Sequence, residues 1–170
     1  MSELSRPVAV ARLEHGPFDL TIEAGEPERH AMAERLGVQS VVRMKAAITV
    51  RKHGARLTVT GRYDAEIERI CVITLEPFVA VQQGEIDEEF LRTDDPENLE
   101  VIVDETTLEP LTEDVLDVGE IVVQHVSLDL DPHPRAEGVE VDDLDYDPDP
   151  AEGQAADSPF AALQKLRSVR

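Results

Sequence analysis

Ser40-Val41-Val42-Arg43-Met44-Lys45-Ala46-Ala47-Ile48-Thr49-Val50-Arg51-Lys52-His53-Gly54-Ala55-Arg56-Leu57-Thr58-Val59-Thr60-Gly61-Arg62-Tyr63-Asp64-Ala65 is the stretch on which the fold turns. Apolar side chains recur at every second position on both sides of His53-Gly54, and X-Gly between two alternating runs marks a tight two-residue hairpin. Residues 40–52 and 55–65 therefore read as paired antiparallel strands. Pairing Lys52 with Ala55 sets Val50 against Leu57, Ile48 against Val59 and Met44 against Tyr63 on one face. The other face then holds Arg51 against Arg56, Thr49 against Thr58, Lys45 against Arg62 and Arg43 against Asp64. One apolar and one polar face is the pattern of an antiparallel sheet with a core on one side only.

Working outward, Val8, Val10 and Leu13, then Phe18, Leu20 and Ile22, read as two short strands parted by His15-Gly16-Pro17. A short helix is expected from Pro27 to Leu36, with Pro in its first turn and Gly37 at its left-handed end. Beyond the hairpin, Ile67 to Leu75 and Phe78 to Gln83 read as a third and fourth strand around a Glu76-Pro77 turn. Residues 85–113 are acidic with apolar spots at Ile86, Phe90 and 99–103, and read as an extended segment with one more strand in it. Asp117-Val118-Gly119-Glu120 reads as a capping box, Asp117 as N-cap and Glu120 reaching back, before a helix with Val118, Ile121, Val122, His125 and Val126 in its stripe. The fold expected is α+β: a mainly antiparallel meander with one or two short helices and an acidic, partly disordered C-terminal half. Its domain spans residues 1–135, followed by an acidic linker over 136–157 and an amphipathic helix over 158–170 carrying Phe160, Leu163 and Leu166.

Charge is unevenly placed. Residues 1–75 hold 10 acidic and 11 basic side chains, whereas residues 76–157 hold 27 acidic and two basic, so almost all of the net charge of −21 sits in the second half. Carboxylates repel phosphates, so any RNA contact belongs to the first half or to the last few residues. The hairpin's polar face supplies the candidates Arg43, Lys45, Arg51, Lys52, Arg56 and Arg62. Like charges directly opposite one another are destabilising, so the pairs Arg51 with Arg56 and Lys45 with Arg62 need compensation. Either these are solvated exterior residues balanced by acids of the same chain, or the face binds RNA phosphate. In the terminal helix Phe160, Leu163, Lys165, Leu166 and Arg167 either staple back on the domain or dock on a partner.

The remaining chemistry is sparse. A single cysteine, Cys71, permits no intramolecular disulfide and no cysteine-based zinc site, and it reads as a buried strand residue. No phosphate loop, nucleophile elbow or His-Glu-x-x-His motif is present, so no catalytic residue, metal or cofactor is expected. No run approaches the roughly 18 apolar residues that span a bilayer, and the N-terminus lacks the apolar core of a signal peptide. A cytoplasmic protein without membrane contact or small-molecule substrate is expected.

Three stretches together resemble the YceD-like family, whose members promote accumulation of large-subunit ribosomal RNA. They are Cys71-Val72-Ile73-Thr74-Leu75-Glu76-Pro77-Phe78, Val118-Gly119-Glu120 through Pro132-His133-Pro134-Arg135, and Ser158-Pro159-Phe160-Ala161-Ala162-Leu163. Many relatives carry Cys-x-x-Cys where this chain has Cys71-Val72-Ile73-Thr74, so a metal role open to them is lost here with Thr74. The resemblance implies a bacterial, non-enzymatic factor in large-subunit (23S) ribosomal RNA processing, stability or accumulation. Its partner would be precursor ribosomal RNA or a ribosomal or assembly protein. A different reading is an acidic chaperone that shields a basic ribosomal protein before assembly.

Overall fold

The computed structural model describes residues 3–93 and 109–139. A compact unit ends at Glu137 and a second begins at Gly138. The proposed terminal helix and most of the proposed linker lie outside the described residues, as does the apolar run at 99–103.

Strand β1 is short, Pro7–Ala9, and the chain then tightens into a 3₁₀ turn over Val10–His15 instead of extending the strand. Val10 and Leu13 are both buried, and a spacing of three brings them to one side of a 3₁₀ turn, whereas on a strand it would send them to opposite faces. Strand β2 (Phe18–Glu23) leads to helix α1 (Glu26–Leu36). Glu28 accepts the Gly25 backbone N–H at 2.7 Å to close the first turn, and Gly37 ends the helix at φ +65°. Strands β3 (Ser40–His53), β4 (Arg56–Ile70) and β5 (Pro77–Arg92) follow as long antiparallel neighbours. A brief β6 (Glu109–Leu111) lies parallel to the end of β5, and β7 (Val115–Asp117) pairs with β1. Helix α2, Val118–Leu128, closes the described unit.

The fold is α+β, a five-stranded sheet in the order β2-β3-β4-β5-β6 with a separate β1-β7 ribbon. Both helices and the 3₁₀ turn pack on the face that carries Met44, Ile48, Val50, Leu57, Val59, Ile67, Ile86 and Phe90, all buried. At about 1.5–3 kcal/mol for each fully buried large apolar side chain, this single layer is the main stabilising term. The other face of the sheet carries no helix among the described residues.

Three expectations are corrected. The hairpin turns at Gly54-Ala55, with His53 paired to Arg56, so Val50 meets Val59, Ile48 meets Gly61 and Ala46 meets Tyr63. Gly54 alone in the turn has positive φ, +62°, which fits a type II′ turn with glycine first; the X-Gly reading puts glycine second. Moving the loop by one residue slides the register by two, and an even slide exchanges partners while leaving every side chain on its face. Second, Ile67 does not open a third strand: β4 runs unbroken to Ile70, and the turn is Cys71–Glu76 with Pro77 opening β5. Third, β5 continues to Arg92, through the first part of the acidic stretch. Ile86 and Phe90 are four apart, on one strand face and both buried, while Glu85 and Asp87 point to water.

Asp117 caps α2 as expected, its Oδ1 accepting from the N–H groups of Gly119 (3.0 Å) and Glu120 (3.3 Å). The Glu120 carboxylate engages Arg35 of α1 with both oxygens, at 2.8 and 2.5 Å. At the far end of α2, Tyr63 donates its hydroxyl to Asp129 at 2.5 Å, and Gln82 donates to Tyr63 and to the Val126 carbonyl, both at 3.3 Å. The helix is thus tied at both ends.

Candidate functional site

The uncovered face is built from the odd positions of β2, β3 and β5 and the even positions of β4. It holds Arg43, Lys45, Arg51, Arg56 and Arg62 together, five of the six cations expected to meet RNA. Lys52 has the opposite parity and pairs with Glu14 at 3.1 Å, its side chain 18% exposed. The corrected register removes the like-charge pairs. Arg51 now stands opposite Thr58, Lys45 opposite Asp64 and Arg43 opposite Glu66.

Most of the five cations are already matched. Arg43 donates to Glu66 at 2.9 and 3.0 Å and also touches Asp64. The Glu66 hydrogen bond holds the Arg43 guanidinium charged, and Gln83 first, then Arg43, holds the Asp64 carboxyl below the usual range. Lys45 meets Glu23 at 3.1 Å and Arg56 meets Glu89 at 3.2 Å. Exposed pairs of this kind contribute about 0–1 kcal/mol each and exchange partners readily. Among the described residues Arg51 and Arg62 form no ion pair. Beside Arg62, an open depression of about 520 Å³ is lined by Thr21, Lys45, Ala47, Gln83 and Glu85.

Beside the cations runs a row of acids that the sequence reading placed in an extended segment beyond the fourth strand: Glu85, Asp87 and Glu89 at alternate positions on this face of β5. Glu85 stands opposite Arg62 and Asp87 opposite Thr60, and neither forms an ion pair among the described residues. Alternation with Ile86 and Phe90 is the signal that could have revealed them.

Two of the family-like motifs converge. The turn Cys71–Glu76 is held by Cys71 N–H to the Glu76 carbonyl and by Leu75 N–H to the Cys71 carbonyl, both 2.9 Å, and Leu75 takes φ +60°. Val72 N–H donates to the Pro134 carbonyl at 2.9 Å, binding this turn to the Pro132-His133-Pro134-Arg135 segment. Cys71 is buried, as expected, but in a turn, with Thr74 N–H 3.5 Å from its Sγ. The Thr74 hydroxyl foremost, with backbone N–H groups of Thr74, Ala136 and Ile73, brings its thiol down to about 6. These donors solvate one thiolate. No second thiol is present, and among the described residues no group of three His, Cys, Asp or Glu side chains gathers to hold a metal.

This pocket of donors makes a prediction about pH. A thiol more acidic folded than unfolded contributes stability that is complete above the unfolded value, roughly 8.5, and that disappears as pH falls through about 6. Relative to Cys71→Ser, the protein should therefore gain stability as pH rises across that window, and Thr74→Val should move the thiolate absorbance midpoint upward. An unmoved midpoint in Thr74→Val would exclude the hydroxyl as the main cause.

A family model described as large ribosomal RNA subunit accumulation protein YceD matches residues 59–167, well over half of the chain. The chain belongs to the YceD family. The YceD match opens in β4, so it takes in the Cys71 turn, the acid row of β5 and α2, and leaves β1 to β3 and α1 outside. No curated protein and no solved structure matches this YceD chain. Of the family-motif residues, Cys71, Leu75, Glu76 and Pro77 lie in and after the first turn, Gly119 and Glu120 open α2, and Pro132, Pro134 and Arg135 follow it. Among the described residues no helix is long and apolar enough to cross a membrane.

Proposed function

We propose that this YceD family member is a non-enzymatic cytoplasmic factor that supports large-subunit ribosomal RNA accumulation by holding a basic ribosomal protein until it meets its RNA. The observation that carries this reading is the row of exposed acids on the open face. Its cations Arg43, Lys45 and Arg56 are neutralised internally, while Glu85 and Asp87 form no ion pair among the described residues. Unpaired carboxylates in a row attract Lys- and Arg-rich chain and repel RNA. A second reading, direct contact with precursor ribosomal RNA to support its processing or stability, is favoured by Arg51 and Arg62, which form no ion pair among the described residues. In that reading Arg43, Lys45 and Arg56 would exchange a carboxylate for a phosphate. A further proposal, from sequence, is that Phe160, Leu163, Lys165, Leu166 and Arg167 form a docking helix beyond the acidic linker.

Ultraviolet crosslinking and co-purification from growing cells, with Glu85→Lys plus Asp87→Lys compared with Arg51→Glu plus Arg62→Glu, separates the two. The first double variant should lose a co-purified basic ribosomal protein and lower large-subunit RNA, with the second near wild type. Loss of crosslinked precursor RNA only in the arginine variant would overturn the chaperone reading in favour of RNA contact.

A further inference from the structure

Among the described residues the sheet leaves most of the outer edge of β5 unpaired. β5 pairs with β4 continuously from Pro77–Ile70 to Leu91–Arg56 with no bulge, yet on its other side only Phe90–Arg92 are covered, by β6. Over Pro77–Glu89, about 40 Å at the rise of a strand, no strand pairs with that edge among the described residues. Folded proteins usually guard such an edge with internal proline, lysine or a bulge. Here proline stands only at the first position and no lysine occurs, and the guard is negative charge at Glu85, Asp87 and Glu89. At the other end of the same face Val79 and Val81 are 54% and 67% exposed.

We propose that this edge takes an extended Lys- or Arg-rich segment of a partner protein as an added strand, alternate cations lying against Glu85, Asp87 and Glu89. The inference rests on the chaperone reading and gives it a surface and a binding mode. Charge complementarity selects the occupant. Residues 94–108 of the chain itself hold six acids and no base, and a second copy of β5 would set acid against acid, which is unfavourable across strands. A basic strand gains both the free backbone hydrogen bonds and the opposite-charge pairs. Apolar residues at one end of the guest would cover Val79 and Val81, and β6 stops it from passing Glu89.

The test uses the full chain and a synthetic peptide of about ten residues, Lys and Val alternating, enough to span most of the edge at ~3.4 Å per residue. A second peptide carries the same charges but N-methyl groups on alternate residues, so that it cannot complete a ladder. The first should bind and protect β5 amides between residues 77 and 89 from hydrogen exchange, with the methylated peptide weaker by roughly tenfold or more, as the loss of several ladder bonds requires. Glu85→Lys plus Asp87→Lys should lose the Lys peptide and gain an alternating Glu and Val peptide. Equal binding of the methylated peptide would overturn strand addition while leaving the chaperone reading intact; failure to hold any basic peptide or protein would remove both. β5 amides already protected in the free chain, and released by truncation after Asp157, would make the chain's own Lys165, Arg167 and Arg170 the occupant and overturn the proposal. Sedimentation as a dimer that breaks on adding charge to the edge would do so in favour of a second copy.

Discussion

Gly119→Ala should lower the melting temperature by about 10 °C, the summed loss of a buried leucine and two hydrogen bonds at a few degrees per kcal/mol. Gly119 is the second residue of α2, and a Cβ there would lie 1.7 Å from the Leu4 carbonyl oxygen and 3.0 Å from the Arg6 nitrogen. Both are backbone atoms, so no rotamer relieves the clash and the strap over Leu4–Arg6 must lift. Lifting it withdraws Leu4, which is fully buried, at about 2 kcal/mol. It also breaks the Arg6 N–H bond to Asp117 and the Val118 N–H bond to the Arg6 carbonyl, about 1 kcal/mol each. The β1 pairing to β7 and the Arg6–Glu28 ion pair at 2.7 Å depend on the same strap. Gly25→Ala is the control. Its Cβ would find ordinary contacts, the nearest at 3.6 Å, so a cost below about 1 kcal/mol is expected at that N-cap. Equal melting losses in the two variants would show that crowding at Leu4 is not the cause.

Asp117→Ala should cost about 3 kcal/mol, read as a lower urea midpoint at unchanged slope. Its carboxylate caps α2, a contribution of about 1 kcal/mol. The same group accepts Arg6 N–H and the Ser5 hydroxyl, each at 2.7 Å, and a donor left without a partner adds about 1–3 kcal/mol. Asp117→Asn keeps a capping oxygen and should recover more than half of the loss. If alanine and asparagine proved equally destabilising, the carboxylate's charge and not its geometry would be holding the strap.

Asp117 and Gly119, two residues apart, show what could be read from the chain and what could not. The cap is a local event, an acid placed two and three residues before the amides it accepts, and it was visible in the sequence. The crowding at Gly119 depends on Leu4, more than a hundred residues away, arriving at that spot. Glu120 divides in the same way. Its place three residues after the cap suggested a reach back to Asp117, but its oxygens hold Arg35, itself also bound to Glu3 at 2.7 Å. On the open face the cations were legible as a set because strand parity is local. Their partners Glu23, Glu66 and Glu89 come from three different strands.

By itself the sequence determined which hairpin side chains face the core and which face water, the end of α1 at Gly37, the start of α2 at Asp117, and the uneven charge, because period, capping and composition act over a few residues. Only the tertiary structure decided the two-residue slide of the hairpin, the single β5 that runs past Gln83 through the start of the acidic stretch, and the edge it leaves unpaired among the described residues. Register and edges depend on which strand stands beside which. That outcome is set by the turn type at Gly54 and by the packing of Ile86 and Phe90 under the helices, and no local window of the chain contains it.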